Sequence, residues 1–447
     1  MSSCPASWRR LPLLVLMALP LGAPRAQSAA DSTGSRAARV IDTVIVLGNR
    51  KTKPFVILDE MTLKPGSIAT DEAIQYDRGR IYSLGLFSSV TIDYQRIDTT
   101  GFLIVDVNER WYLIPVPIFG FRDGDPKKAF YGAGLIHTNF RGANQKLFFA
   151  FTLGFDPSVA FEFYDPLFDR EEHLYWGAGL SVSSVRNRSA LEAAYAGDFD
   201  ERHYDFHLLL GKRFNLYETA GIRAGYGVAY VTQYRTGRTV SPTGRDQNLY
   251  GGLEYVFDSR DLREYATRGG YYSVSATKYG FGESAVDFAR FSIDLRRYVP
   301  LLPDLSLATR MYVSCITGGL IPSYARTYVG YGDQRVRGWY TTVFEGENMG
   351  GGTVELRYAV LHARTIDVSS LPIPDEFAYW RFGINLALFA DVGKAWFRGD
   401  RLTFATLASG YGGGLHLLLP YSYVGRIEYA WNEYFRGQII LDLRGSI

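Results

Sequence analysis

The chain is short of cysteine, of long apolar runs and of any one-sided charge. Of its 447 residues only Cys4 and Cys315 are cysteines, and Cys4 lies in a leader-like N-terminal segment, so an internal disulfide is excluded for the rest. Beyond that segment no stretch approaches the roughly 18 consecutive apolar residues with which a helix crosses a bilayer. A membrane location would therefore require strands. The formal net charge of +2 and the lack of blocks of like charge give no footprint for nucleic acid. His-Glu-x-x-His, Gly-x-Ser-x-Gly, phosphate-loop and paired-cysteine patterns are all missing, so the sequence predicts no enzyme, no metal site and no cofactor.

Aromatics are abundant: they make up 15% of the chain, with 32 Tyr and 28 Phe, beside 47 Gly, a mixture that suits many strands better than packed helices. The first residues carry Arg9 and Arg10, an apolar run from Leu11 to Ala23 and small residues at Ala26 and Ser28. This pattern predicts a secretory signal over 1–28 and a linker over 29–39.

Residues 40–109 read as one compact α+β unit of order β-α-α-β-β. VIDTVIVL is a strand ended by Gly48-Asn49, Pro54 suits a first helical turn with Phe55, Leu58 and Met61 on one face, and a second helix starts near Thr70. That helix carries Ile74, Ile81 and Leu84 inward and stops at Gly85. The strands VTIDYQ and FLIVDVNE follow.

From residue 110 to 447 the pattern changes to period two, in segments of about ten residues divided by turn residues, as in an outer-membrane barrel. The segments run from Leu113–Arg122 to Gln438–Arg444 and number about 16, an even count, with no helical stretch among them. With both ends periplasmic, GYGDQRVRGWYTTVFEGENMGGG, from Gly330 to Gly352, falls in the sixth and longest outer loop. Its glycine run 350–352 reads as a flexible loop exit in preference to a phosphate cradle.

Alternation also assigns faces. In TVELRYAV, Val354, Leu356 and Tyr358 form the apolar face, which turns Glu355 and Arg357 to the lumen; in FGINLALFADVGKAW the same reasoning puts Asn385 and Asp391 inside. Arg310 turns inward and Cys315 outward. A charge at mid-depth on the lipid face would cost about 2–4 kcal/mol. Two lumenal carboxylates on neighbouring strands repel each other unless a cation joins them. His203, Asp205 and His207 share one lumenal face, which suits a hydrated polar wall as well as a metal or proton relay. Aromatic pairs such as Trp111-Tyr112, Tyr175-Trp176 and Tyr379-Trp380 suit interfacial girdles.

VRGW, from Val336 through Arg337 and Gly338 to Trp339, resembles the Val-Arg-Gly-aromatic signature of the BamA/TamA-like outer-membrane assembly and secretion transporters. Segment 40–109 resembles the POTRA domain of that family in VLGN, LKPG, YSLGLFSSV and IVDVNER. LIHTNFRGANQ, FEFYDPLF, FDSRDLREYATRGG and ALFADVGKAW continue the likeness in order along the barrel. The resemblance implies an all-β transmembrane barrel of about 16 antiparallel strands, preceded by one α+β POTRA domain, in the bacterial outer membrane with the POTRA domain in the periplasm. It also implies that Arg337 folds into the lumen and pairs with Glu355 and Asp391, whereas the residues alone leave a solvated loop charge open. The partners implied are unfolded outer-membrane or secreted client polypeptides, outer-membrane lipid and periplasmic accessory proteins. The function implied is assembly of other proteins into the membrane, with a polypeptide-secreting pore as the alternative and a passive porin or barrel hydrolase as the remoter one. Only one POTRA unit fits before the barrel, where family members carry more.

A lateral seam is the last expectation. Pro115 and Pro117 lack N–H groups and are spaced by two, so both missing donors lie on one strand edge. Gly445 permits a bend in the final strand, where Ile447 stands in place of a terminal aromatic. A barrel closed there would open sideways more readily than elsewhere.

Overall fold

The computed structural model describes residues 39–122, 126–187, 189–196, 199–282, 284–330, 334–339, 342–403 and 406–444. The expected signal segment, residues 29–38 of the linker, and Gly445 of the seam lie outside them. Within these residues no helix is long and apolar enough to cross a membrane.

The N-terminal unit contains β1 (Thr43–Leu47), α1 (Pro54–Leu58), α2 (Asp71–Tyr82), β2 (Phe87–Ile97) and β3 (Thr100–Glu109). Its sheet order is β1-β3-β2, with β1 parallel and β2 antiparallel to β3. Ile41, Ile57, Met61, Ile81, Leu86, Phe87, Leu103 and Val105 form its core. The Thr70 side chain accepts from the Ala73 amide and caps α2. Buried Asp77 on that helix accepts from the amides of Thr62 and Leu63 and the Thr62 hydroxyl, fixing the chain after α1. One expected detail is corrected: α1 ends at Leu58, and its buried residues are Val56 and Ile57. Phe55 and Leu58 are partly buried against the same core as Met61, and the Arg170 guanidinium lies 4.0 Å from the Phe55 ring centre.

The barrel begins with β4 (Leu113–Phe121), β5 (Ala129–Phe140), β6 (Gln145–Gly154), β7 (Ser158–Asp169), β8 (Leu174–Arg186), β9 (Asp200–Arg213), β10 (Glu218–Val231) and β11 (Arg245–Asp258). It continues with β12 (Gly269–Phe281), β13 (Phe288–Leu302), β14 (Leu305–Gly318), β17 (Asn348–Asp367), β18 (Tyr379–Trp396), β19 (Ala408–Leu419), β20 (Tyr423–Asn432) and β21 (Gly437–Arg444). Together they form one 16-stranded sheet, each strand antiparallel to its neighbours, running in order from β4 to β21. The alternation of faces follows the sequence: Val354, Tyr358, Leu386 and Leu388 are exposed on the outer face, while Glu355, Arg357, Asn385 and Asp391 are buried inside.

Two outer segments differ from the expectation. A helix, α3 (Ala190–Ala196), stands between β8 and β9, begun where the Ser189 hydroxyl accepts from the Glu192 amide. The long outer loop holds a small pair, β15 (Thr327–Val329) and β16 (Phe344–Gly346). Gly350, Gly351 and Gly352 are not a loop exit but the start of β17, paired with Val313, Tyr312 and Met311. A missing side chain at 351 gives the Tyr312 ring its place, since a Cβ there would stand 2.5 Å from the tyrosine oxygen.

Candidate functional site

The sheet register brings four strands together beneath the outer loop. Glu355 on β17 is opposite Phe389 on β18, Asp391 on β18 is opposite Gly410 on β19, and Glu428 on β20 is opposite Gly414 on β19. Their inward parity collects three carboxylates in a small part of the lumen, and Arg337 of the loop enters among them. Its amide and Nε donate to Asp391 Oδ2 at 3.0 and 2.7 Å, and Nη2 donates to Oδ1 at 2.8 Å. Nη1 donates to Glu355 Oε2 at 2.7 Å and to Glu428 Oε1 at 2.9 Å. The guanidinium also lies 3.5 Å from the centre of the Phe389 ring. A planar fork can engage several oxygens in this way, whereas an ammonium cannot reproduce the two parallel bonds to one carboxylate.

The main chain of the loop fits as closely as its charge. Gly338 has φ 95°, and a Cβ on it would stand 2.7 Å from the Trp431 oxygen. At Gly410 a Cβ would be 1.6 Å from the Arg337 oxygen. Val336 packs with Val329, Ala395 and Trp339. The Trp339 indole donates to the Ser409 oxygen and to Glu433 Oε2 at 3.1 and 2.8 Å.

The carboxylates have partners of their own farther from the long loop. Arg357 Nε donates to Glu355 Oε1 at 2.8 Å. His416 Nε2 lies 3.0 Å from Glu428 Oε1, and its Nδ1 lies 2.9 Å from the Tyr265 hydroxyl. Donor atoms of Glu355, His416 and Glu428 fall within 4.8 Å of one another. Both Glu355 oxygens and Glu428 Oε1 already receive guanidinium groups, however, so a cation would have to displace Arg337 or Arg357 to be held there. Sequence reasoning named Arg337, Glu355 and Asp391 but missed Glu428, although Ile427, Tyr429 and Trp431 on the outer face would have turned it inward. Tyr265 carried no such signal, because it comes from a turn.

Elsewhere in the lumen, Asp205 bonds the Tyr250 hydroxyl at 2.8 Å and lies 3.1 Å from His207, while His203 lies 3.1 Å from Glu201. This is a satisfied polar wall. Towards the outside the loops are knit together: Arg326 reaches Glu345 at 2.7 Å, Ser189 at 2.9 Å and Glu192 at 3.1 Å, and Arg238 sits 3.6 Å from the Phe199 ring centre.

The two ends of the sheet are β4 and β21. Among the described residues no ladder joins β4 to β21. The Thr138 amide donates to the Tyr112 oxygen at 2.9 Å, which makes this a hydrogen-bonded pair in the β4–β5 register. In an antiparallel ladder such pairs alternate, so even-numbered residues of β4 bond to β5 and odd-numbered ones face away. Pro115 and Pro117 therefore leave their gaps on the free edge. The Asn432 amide donates to the Arg436 oxygen, so the same count turns the main-chain groups of Ile439, Leu441 and Leu443 to the free edge of β21.

Residues 139–435 match the family model described as the Omp85 superfamily domain, and residues 40–110 match POTRA, the surface antigen variable number repeat. No curated protein sequence matches the chain. Among solved structures, BamA from Haemophilus ducreyi lacking POTRA domains 1-3 is 14% identical with a TM-score of 0.53, covering 90% of this chain and 83% of that one. CdiB from Escherichia coli is 12% identical with a TM-score of 0.52, covering 90% of this chain and 74% of that one. These two likenesses concern the fold.

Proposed function

The chain belongs to the Omp85 superfamily, and on that premise we propose that it receives extended client polypeptides at its POTRA domain and passes them to the barrel wall at the edge between β4 and β21. The barrel lies in the bacterial outer membrane with the POTRA domain in the periplasm. The proposal takes 40–109 as the POTRA domain and 110–447 as the barrel. β1 and β2 are the edge strands of the POTRA sheet, and an edge strand accepts an extended peptide as an added strand. No covalent chemistry enters the proposal: the work is strand exchange, in which the client's main-chain groups replace unpaired ones.

The observation that carries this reading is the orientation of Pro115 and Pro117. Each removes a donor from the free edge of the first strand, so fewer hydrogen bonds oppose opening there than between any other two strands. A client strand pairing with β21, or with the remaining carbonyls of β4, would meet lipid from the wall. The interior supports the same route, because Arg337 and its three carboxylates fill part of the lumen and Arg326 ties the outer loops above it. Passage of a polypeptide through the lumen, the alternative reading, would have to break both sets of contacts.

The test is a scan of cysteine pairs between 113–121 and 437–444 in a Cys315→Ser background, oxidised in cells. A locked seam stops client insertion, and reduction restores it. Undiminished transport through a fully locked seam would reject the wall route and favour secretion through the lumen. Comparing the outer-membrane and secreted proteomes after depletion identifies the client class.

A further inference from the structure

The turn between β11 and β12, residues 259–268, has contacts on two sides. On one side it meets the POTRA domain. The Tyr76 hydroxyl donates to the Ser259 oxygen at 3.4 Å, and the Arg263 amide donates to Ser83 Oγ at 3.0 Å. Arg80 of α2 donates to the main-chain oxygens of Asp258 and Leu216 at 3.1 and 3.0 Å. Leu262 packs against the POTRA core. Gly79 makes the approach possible, since a Cβ on it would stand 2.3 Å from the Asp261 oxygen.

On the other side the same turn enters the lumen. Tyr265 is 3% exposed and packs against Leu418 and Val424, with its hydroxyl on His416. The Arg357 guanidinium lies 4.3 Å from the Tyr265 ring centre and donates to the Ala266 oxygen at 3.0 Å. Ala266 itself packs with Tyr298 and Ala308. The turn is stiff between these contacts, because Asp261 accepts from the amides of Thr267 and Arg268 and from the Thr267 hydroxyl. Glu264 pairs with Arg381, whose guanidinium lies 5.0 Å from the ring centre of Tyr82 on α2.

From Tyr265 the contacts run on without a gap. His416 leads to Glu428, and Arg357 leads to Glu355; both carboxylates hold Nη1 of Arg337. We infer that the 259–268 turn is a tie between the POTRA domain and the outer loop: Tyr265 and Ala266 position the carboxylates that seat Arg337, so the seat depends on how α2 is docked. Packed interiors transmit a displacement of this kind because they do not deform smoothly. Under the proposed function, a client that shifts the POTRA domain would loosen the loop inside the barrel. The tie itself rests only on the contacts named here, and coupling between two sites is reciprocal.

Hydrogen exchange on the full chain in lipid nanodiscs, read by mass spectrometry, tests this without any client. The amide of Arg337 is hydrogen-bonded to Asp391 and reports the seat; the amide of Arg263 is hydrogen-bonded to Ser83 and reports docking. Tyr265→Phe, which keeps the ring, and Arg80→Ala, which lies in the POTRA domain, should each speed exchange at Arg337 by about fivefold or more. The double variant should do little more than the stronger single one, because both act through one path. Arg337→Ala should in turn speed exchange at Arg263. Heat-modifiable migration verifies that each barrel is assembled, and Ser83→Ala replaces Arg80→Ala should that variant fail. Faster exchange at Arg263 with none at Arg337 in the POTRA variants would overturn the tie, as would an unchanged Arg337 amide in Tyr265→Phe. Because the readout uses no client, a failed seam-lock experiment would reject the proposed function and leave this result standing.

Discussion

The amide and the Nε of Arg337 both donate to Oδ2 of Asp391, at 3.0 and 2.7 Å. One carboxylate on β18 thus holds both the main chain and the side chain of the outer loop. Removing one member of a buried ion pair costs about 3–5 kcal/mol, because the other charge stays behind. Arg337→Ala would strand Asp391 and leave Glu355 with Arg357 alone.

Arg337→Ala is expected to release the loop and lower client insertion, and Arg337→Lys is expected to restore little, since it cannot supply the forked contact. Cysteine pairs at 337 and 355, or 337 and 391, check the position directly. If neither pair cross-links in the folded barrel while a cysteine at 337 reacts with an outside reagent, the loop is not seated in solution.

Gly410→Ala separates shape from charge. It leaves every ionic partner in place, yet its Cβ would stand 1.6 Å from the Arg337 oxygen. The loop should leave its seat as it does in Arg337→Ala, seen as faster protease cutting near Val336 and loss of the 337–391 cross-link. Gly413→Ala on the same strand is the control, because its Cβ meets Leu388 Cδ2 and the Ala387 oxygen no closer than 3.0 Å. Equal behaviour of the two variants would mean that the close approach at Gly410 is not what seats the loop.

Pro115→Ala with Pro117→Ala returns two donors to the free edge of β4. Each new bond that forms would add about 0.5–1.5 kcal/mol, closing the seam more firmly. Exchange of amides in the 437–444 segment should slow and client insertion should fall. Faster insertion by the double variant would rule out hydrogen-bond shortage as the cause of opening.

Docking of the POTRA domain should depend on pH through Glu60. Burial by itself would raise this carboxyl, but the guanidinium groups of Arg213 and then Arg80, with Arg263 beyond them, outweigh burial and hold it below the ordinary range. Arg213 and Arg80 reach its two oxygens at 2.9 and 2.8 Å. A depressed carboxyl stabilises the docked form fully above its undocked value of about 4.3, and that contribution is lost as the pH falls through the depressed value. Energy transfer between labels at the exposed positions Asp93 and Asn215 should therefore weaken on acidification below about pH 4. Glu60→Gln should weaken it at neutral pH and flatten the acid response. An unchanged acid response in Glu60→Gln would assign the effect to other groups.

The sequence by itself determined the strands and the face of each residue, because a barrel strand must alternate between lipid and lumen and a misplaced charge is costly. Thus Glu355, Arg357, Asn385 and Asp391 were legible as inward residues from their neighbours alone, and Glu428 was equally legible from Ile427 and Tyr429. Motif order carried the family. Only the tertiary structure decided which of these residues meet. The contacts of Arg337 join the loop to strands 18 to 91 positions away, and strand register and barrel curvature set such distances, which no local pattern records. The structure alone also placed Tyr265 in the lumen, since a turn residue has no alternation to read. It likewise turned the gaps at Pro115 and Pro117 to the free edge, because the edge a residue faces depends on which partner residue its strand is paired with.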